Sequence, residues 1–183
     1  MSVYGGKELA AAFRTVRGNT IKIAEEIPES KYDFKPSPDV RSIGKTLAHI
    51  ALGPTFQYEM QTNKVTDLAT VNFPAIVQKI MAEEAKPRTK AETIAFLKTE
   101  GDKFASFLEG LSDAFLAERV AMPPGAEPAT KSRFEMLLGP KEHEMHHRGQ
   151  LMTCQRMIGL KPHLTRQMEE RMAQAQQQQA AAR

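Results

Sequence analysis

The chain has 183 residues, enough for one domain with a hydrophobic core and too few for two of ordinary size. Apolar residues make up 41% and charged residues 26%, values of a folded globular chain that exclude a wholly disordered or membrane-embedded class. The formal charge of +3 is spread thinly, Trp is absent and no basic run interleaves with aromatics, so nucleic acid is not an expected partner.

Cys154 is the one cysteine, so no intramolecular disulfide can form, which suits a reducing compartment. The opening MSVYGGKELAAAFRTV lacks the apolar core of a secretory signal. No run reaches the ~18 apolar residues of a membrane span. A cytoplasmic protein is the expectation.

Leu9, Phe13, Val16, Thr20, Ile23 and Ile27 recur in steps of three and four, one seam of a first helix that Pro28 ends. The stretch PESKYDFKPSPDVRS reads as a loop. A second helix starts at Ser42 as N-cap and runs through Ile43, Leu47 and Ile50 to about Gln61, with Pro54 as a kink inside it. From Thr62 to Lys90 the pattern is poor; Phe73, Ile76, Val77 and Ile80 allow one short helix, broken by Pro87. A third long helix is expected over Lys90 to Glu118, with Ile94, Leu97, Phe104, Phe107, Leu108 and Leu111 on its apolar face.

Met122 to Pro128 is a loop, and a fourth helix spans about Thr130 to Gly159, with Gly139-Pro140 as a kink or break. Gly159 has the position of a C′ glycine, with Pro162 beyond it. A last short helix covers His163 to about Met172. Strand alternation is not found. Residues 1–172 are expected to form one all-α helical-bundle domain, with short additional helices and a low-complexity tail at 173–183.

Three of the five histidines fall in HEMHH. At about 100° per residue, His143 and His147 lie about 40° apart, one turn above the other, and can converge on one ion. The string formally matches the HExxH of zinc metalloproteases, with Glu144 as general base, but the sheet and peptide cleft of that context are missing. Two ligands make a weak site. His49, set among Ala48, Ile50 and Ala51, is the candidate third: a histidine in so apolar a segment needs a polar partner if buried.

Met136, His143, His147, Gln150 and Cys154 share a sector of the fourth helix, with Gln150 able to donate to a bound water or substrate. Cys154 lies roughly 10 Å along the axis from His147, too far to join it, and reads as a small buried residue. His146 sits at the edge of the stripe. His163 has no evident role. Glu142, Glu144 and Arg148 are near the pair, but none has a spacing that proves a base or an anion clamp.

At these residues the chain resembles a known family. HEMHHRGQL, His143 to Leu151, is similar to the HxxxHRGQ signature of the DinB-like superfamily. IPESKYDFKPSPDVRSIGKTLAHIA, Ile27 to Ala51, is similar to that family's first loop and second helix. The resemblance covers about residues 7 to 160. It implies a four-helix bundle with an unusual connection order. The metal ligands it implies are His49, His143 and His147, with zinc or nickel bound and water at the open positions. It further implies a homodimer and a small-molecule substrate. Characterised relatives include thiol S-transferases using bacillithiol or glutathione and a mycothiol-dependent maleylpyruvate isomerase. Gly139-Pro140 departs from the family pattern. The expected function is a metal-dependent enzyme such as a low-molecular-weight-thiol S-transferase; a metal-dependent hydrolase or a non-catalytic metal-binding stress-response protein stays open.

Overall fold

The apolar seam of the first helix is the inner face of α1, Gly6–Glu26: Leu9, Phe13, Val16, Thr20 and Ile23 are all buried, as is Ile27 at its C-cap. Pro28 follows and the chain leaves the helix. The computed structural model describes residues 4–181. In chain order it continues with α2 (Ile43–Leu52), α3 (Thr55–Thr62), α4 (Phe73–Ala85), α5 (Lys90–Glu109), α6 (Asp113–Ala117), β1 (Arg119–Ala121), β2 (Thr130–Ser132), α7 (Arg133–Met157) and α8 (His163–Ala181).

Helices α1, α2, α5 and α7 form a four-helix bundle, and the all-α class stands. α1 packs on α5 and α7, and α2 packs on the same two. The first and second helices of the bundle therefore face each other diagonally, across the long loop 28–42. No helix among the described residues is long and apolar enough to cross a membrane.

Several boundaries differ from the sequence expectation. The second helix is two helices, because Pro54 has no N–H to offer the carbonyl of Ile50. That carbonyl instead accepts from Gly53 N at 3.2 Å, and the chain restarts as α3. The third helix stops at Glu109 with Gly110 as its cap, and Ser112 caps the separate α6, its Oγ accepting from Phe115 N. A β-hairpin was not anticipated: strands of three residues cannot display alternation. It is held partly by side chains, Arg119 Nη2 donating to the Thr130 carbonyl at 2.7 Å.

The fourth helix begins at Arg133, capped by a reciprocal Ser132–Glu135 box, and passes through buried Pro140 without a break. Gly159, at φ +83°, ends it in the left-handed conformation expected of that glycine. The last helix runs to Ala181, well past Met172, with only its first residue buried.

The core has two apolar layers with a polar one between them. Phe13, Phe104, Leu108 and Leu137 belong to one layer; Ile23, Ile50, Leu97 and Leu151 belong to the other. Between them Arg17, 3% exposed, reaches all four bundle helices. Its Nε donates to both oxygens of Glu144 at 3.0 Å, Nη1 to the Leu97 carbonyl at 2.8 Å, and Nη2 to the Ile50 carbonyl at 3.1 Å. The carbonyl freed by Pro54 thus gains a charged donor. Gly101 makes the room: a Cβ there would stand 2.8 Å from Arg17 Cγ.

Candidate metal centre

His49 sits on the last turn of α2, whose start is fixed by Ser42 Oγ accepting from Lys45 N. His143 and His147 lie one turn apart on α7, as their spacing requires. The polar layer sets their height, since Ile50 and Glu144, which grip Arg17, are the chain neighbours of His49 and His143. The three imidazoles converge. His49 Nε2 is 3.0 Å from His143 Nε2, and His147 Nε2 is 3.2 Å from the same atom. One ligand atom from each of the three lies within 4.8 Å of the others, the arrangement of a metal site.

The outer ring nitrogens decide which inner ones carry lone pairs. His49 Nδ1 lies 2.9 Å from Glu84 Oε2, and His147 Nδ1 lies 2.8 Å from Gln150 Oε1. Both partners are acceptors, so in the neutral rings both Nδ1 atoms carry the proton and both Nε2 atoms face inward bare. A proton on His143 Nε2 can serve only one of them at a time. His143 Nδ1 is buried with no hydrogen-bond partner. A shared cation satisfies all three lone pairs together. Nitrogens about 2.0–2.1 Å from one ion stand roughly 2.9–3.4 Å apart at octahedral to tetrahedral angles, a range that holds both spacings from His143, while all three ligand atoms lie within 4.8 Å of one another. The residues therefore fit a divalent ion. Gly53 belongs to this fit: a Cβ there would come within 2.8 Å of His143 Nδ1.

Glu84, on α4, is the residue that sequence reasoning missed. It comes from the weakly patterned 62–90 stretch, where a helix without one buried residue leaves only a faint periodic signal in Phe73, Ile76, Val77 and Ile80. Its other oxygen pairs with Arg41 Nε at 2.6 Å. Gln150, read as able to donate to a bound water or substrate, lines the cleft and bonds two histidines, its oxygen facing His147 Nδ1 and its nitrogen donating to His146 Nε2 at 3.1 Å. His146 is thus two bonds removed from the centre. Glu144, the general base of the HExxH reading, is 1% exposed and spent on Arg17, which removes the protease interpretation. Cys154 is buried, and His163 lies elsewhere, against Asn19 at the α8–α1 junction. A cleft of about 790 Å³ opens beside His147, lined by Arg41, Lys45, Glu84, Gln150 and Cys154 among others.

Burial, then the charges of His147 and His49, push His143 from the ordinary 6.5 down to about 4. His147 is lowered chiefly by burial, against the opposing hydrogen bond to Gln150. Burial would raise Glu84, but the bonds from Arg41 and His49 outweigh it and hold the carboxyl below its ordinary value. Between about pH 6.5 and 4 the unfolded chain takes up the His143 proton and the folded chain does not. The metal-free protein should therefore hold this stability above pH 6.5 and lose it as the pH falls toward 4. Urea denaturation at stepped pH checks this, and His143→Ala should flatten that part of the profile.

A sequence model of the DinB superfamily matches residues 12–151. Among curated proteins no sequence matches. Solved structures do. YfiT from Bacillus subtilis, described as a probable metal-dependent hydrolase with an unusual four-helix bundle topology, superposes with TM-score 0.65 at 13% identity, over 88% of this chain and 91% of YfiT. YjoA, a DinB-like protein from Bacillus subtilis, gives TM-score 0.61 at 20% identity over 83% and 92%. An uncharacterized protein from Clostridium difficile 630 gives 0.63 at 14% over 86% and 99%. At these identities the likeness is one of fold.

Proposed function

Because the chain belongs to the DinB superfamily, we propose that it is a metal-dependent enzyme holding zinc or nickel on His49, His143 and His147 and transferring a low-molecular-weight thiol to a small electrophile. The observation that carries this is the meeting of three Nε2 atoms, two of them with fixed lone pairs, beside a small-molecule-sized cleft. Imidazole donors suit zinc and nickel, and three neutral ligands leave coordination positions open.

A bound divalent ion supplies Lewis acidity, lowering the pKa of a water or thiol that it contacts. Burial holds the His143 and His147 rings deprotonated near neutral pH, with His143 at about 4. Glu84 and Gln150 fix the rings, and Leu151 and Cys154 give the cleft an apolar wall.

Proton transfer separates thiol transfer from hydrolysis. Hydrolysis of an amide needs an acid for the leaving group. Two carboxylates beside the triad are committed, Glu144 to Arg17 and Glu84 to Arg41 and His49. Burial raises the Cys154 thiol, which keeps it protonated. A thiol, already acidic at about pKa 8.5, requires no such shuttle once its proton is lost to solvent. Hydrolysis is the second reading, favoured by the likeness to YfiT.

Metal analysis of protein purified without added metal should give close to one equivalent. A panel of small thiols with an electrophilic acceptor should then show a rate that a chelator abolishes. Chelator-sensitive turnover of esters or amides, with none for any thiol, would establish the hydrolase instead. Neither activity in metal-loaded protein would leave a binding role.

A further inference from the structure

Glu84 reaches His49 from a helix that the core does not hold. No residue of α4 is buried, and its main packing is against α2. At its start, Phe73 meets the Phe56 ring edge-on at 5.5 Å, and Lys79 pairs with Glu59 across exposed surface. Exposed contacts of this kind contribute little. The end of α4 is different. Arg41 grips the Glu84 carboxylate, with Nε at 2.6 Å from Oε1 and Nη2 at 3.5 Å from Oε2. Lys45 Nζ donates to the carbonyls of Glu84 at 3.0 Å and Ala85 at 2.7 Å, capping the last turn where a cation is favoured. Arg41 and Lys45 flank the start of α2, the helix that carries His49. The polar tethers between α2 and α4 thus converge on the last turn of α4, and Glu84 in that turn touches a ring of the triad.

The structure assigns Glu84 as the positioning residue of the metal centre, and α4 as a polar latch, closed by Arg41 and Lys45, that sets how tightly and how long the triad keeps its ion. The assignment rests on the metal-binding reading above. Its physical basis is the tautomer. The carboxylate accepts a hydrogen bond from His49 Nδ1–H and so, in the neutral ring, keeps Nε2 bare toward His143. It also raises the basicity of the ring as a ligand. With Glu84 withdrawn, His49 is free to place its proton on Nε2, facing the other two rings, where it excludes a cation. Arg41 keeps the carboxylate aimed, and Lys45 keeps the end of the helix close enough for it to reach. Opening the latch withdraws no fully buried residue, only the half-buried Ile76, Val77 and Ile80 and the exposed Phe73, so the bundle stays folded when α4 moves.

The test is zinc affinity and release, measured by chelator competition on the full chain, with the His49 tautomer read from ring ¹⁵N shifts in the metal-free protein. Glu84→Ala should weaken zinc binding about 10- to 100-fold. It should also move His49 toward the Nε2–H tautomer, with the metal-free melting temperature nearly unchanged. Glu84→Gln, which keeps an acceptor but loses the charge that Arg41 holds, should fall between the two. Lys45→Met should speed zinc release several-fold, while the tautomer stays that of wild type. Glu84→Ala affinity within about twofold of wild type would overturn the assignment. So would an affinity loss accompanied by collapse of the metal-free fold, or an unshifted His49 tautomer. If wild-type protein binds no zinc or nickel, the metal-binding reading fails, and the tautomer measurement still reports on the Glu84–His49 contact.

Discussion

Replacing His143 by alanine is expected to abolish metal retention. The imidazole is the hub of the triad: its Nε2 lies 3.0 Å from that of His49 and 3.2 Å from that of His147. Loss of an outer partner of a metal ligand already costs about 10- to 100-fold in affinity, so loss of this ligand should exceed about 100-fold. Stability gives an independent reading. Whatever binds only the folded state raises the melting temperature by mass action. Added zinc should therefore raise that of wild type and leave the variant unmoved. In chelator the comparison changes, because the variant no longer buries an unpartnered Nδ1 or sets three ring nitrogens against one another. A variant that still holds one equivalent of metal would rule out the three-histidine centre.

Removing the carboxylate one residue further on should have a different effect. Glu144→Ala leaves the Arg17 charge buried without its counter-ion, a change that costs about 3–5 kcal/mol. For a chain of this size that is a fall in melting temperature on the order of 10 °C. Arg17→Met paired with Glu144→Leu should be less damaging than Glu144→Ala alone, because no uncompensated charge remains. It should not restore wild-type stability, since the Ile50 carbonyl loses its charged donor. Denaturant melts of the three proteins check the order. Metal content separates this role from catalysis: Glu144→Gln should retain its ion, whereas His143→Ala should not. A cost below about 1 kcal/mol for Glu144→Ala would mean that Arg17 is stabilised by its carbonyl partners alone.

How far the sequence foretold this site depends on which force placed each residue. His143 and His147 were legible because helical spacing is a local property, and a four-residue interval puts two rings on one face in any helix. His49 stood out because it interrupts an apolar segment, and the family resemblance gave it a partner. Arg17 did not stand out. Beside the Val16 seam it reads as the solvated edge of a helix, and only the opening left by Gly101 and the carbonyl freed by Pro54 turn it inward. Glu84 was illegible for the opposite reason: it lies 35 residues from His49, on a helix placed by ion pairs in place of buried apolar groups. Pro140 suggested a break that the packing of α7 across α1 and α2 overrides.

The Arg17 hub also bears on the order of folding. Its partners lie 33, 80 and 127 residues away along the chain, on three different helices. None of these contacts can form by local closure, and the loop entropy of the widest must be lost before that contact contributes. Until α7 has docked, a guanidinium with hydrating water is better placed outside than in. Burial of Arg17 therefore belongs to the late side of the folding barrier, after the apolar layers on either side have met. Weakening the hub should quicken unfolding and leave the rate of folding almost untouched, so that it acts as a lock on the finished bundle with no part in nucleating it.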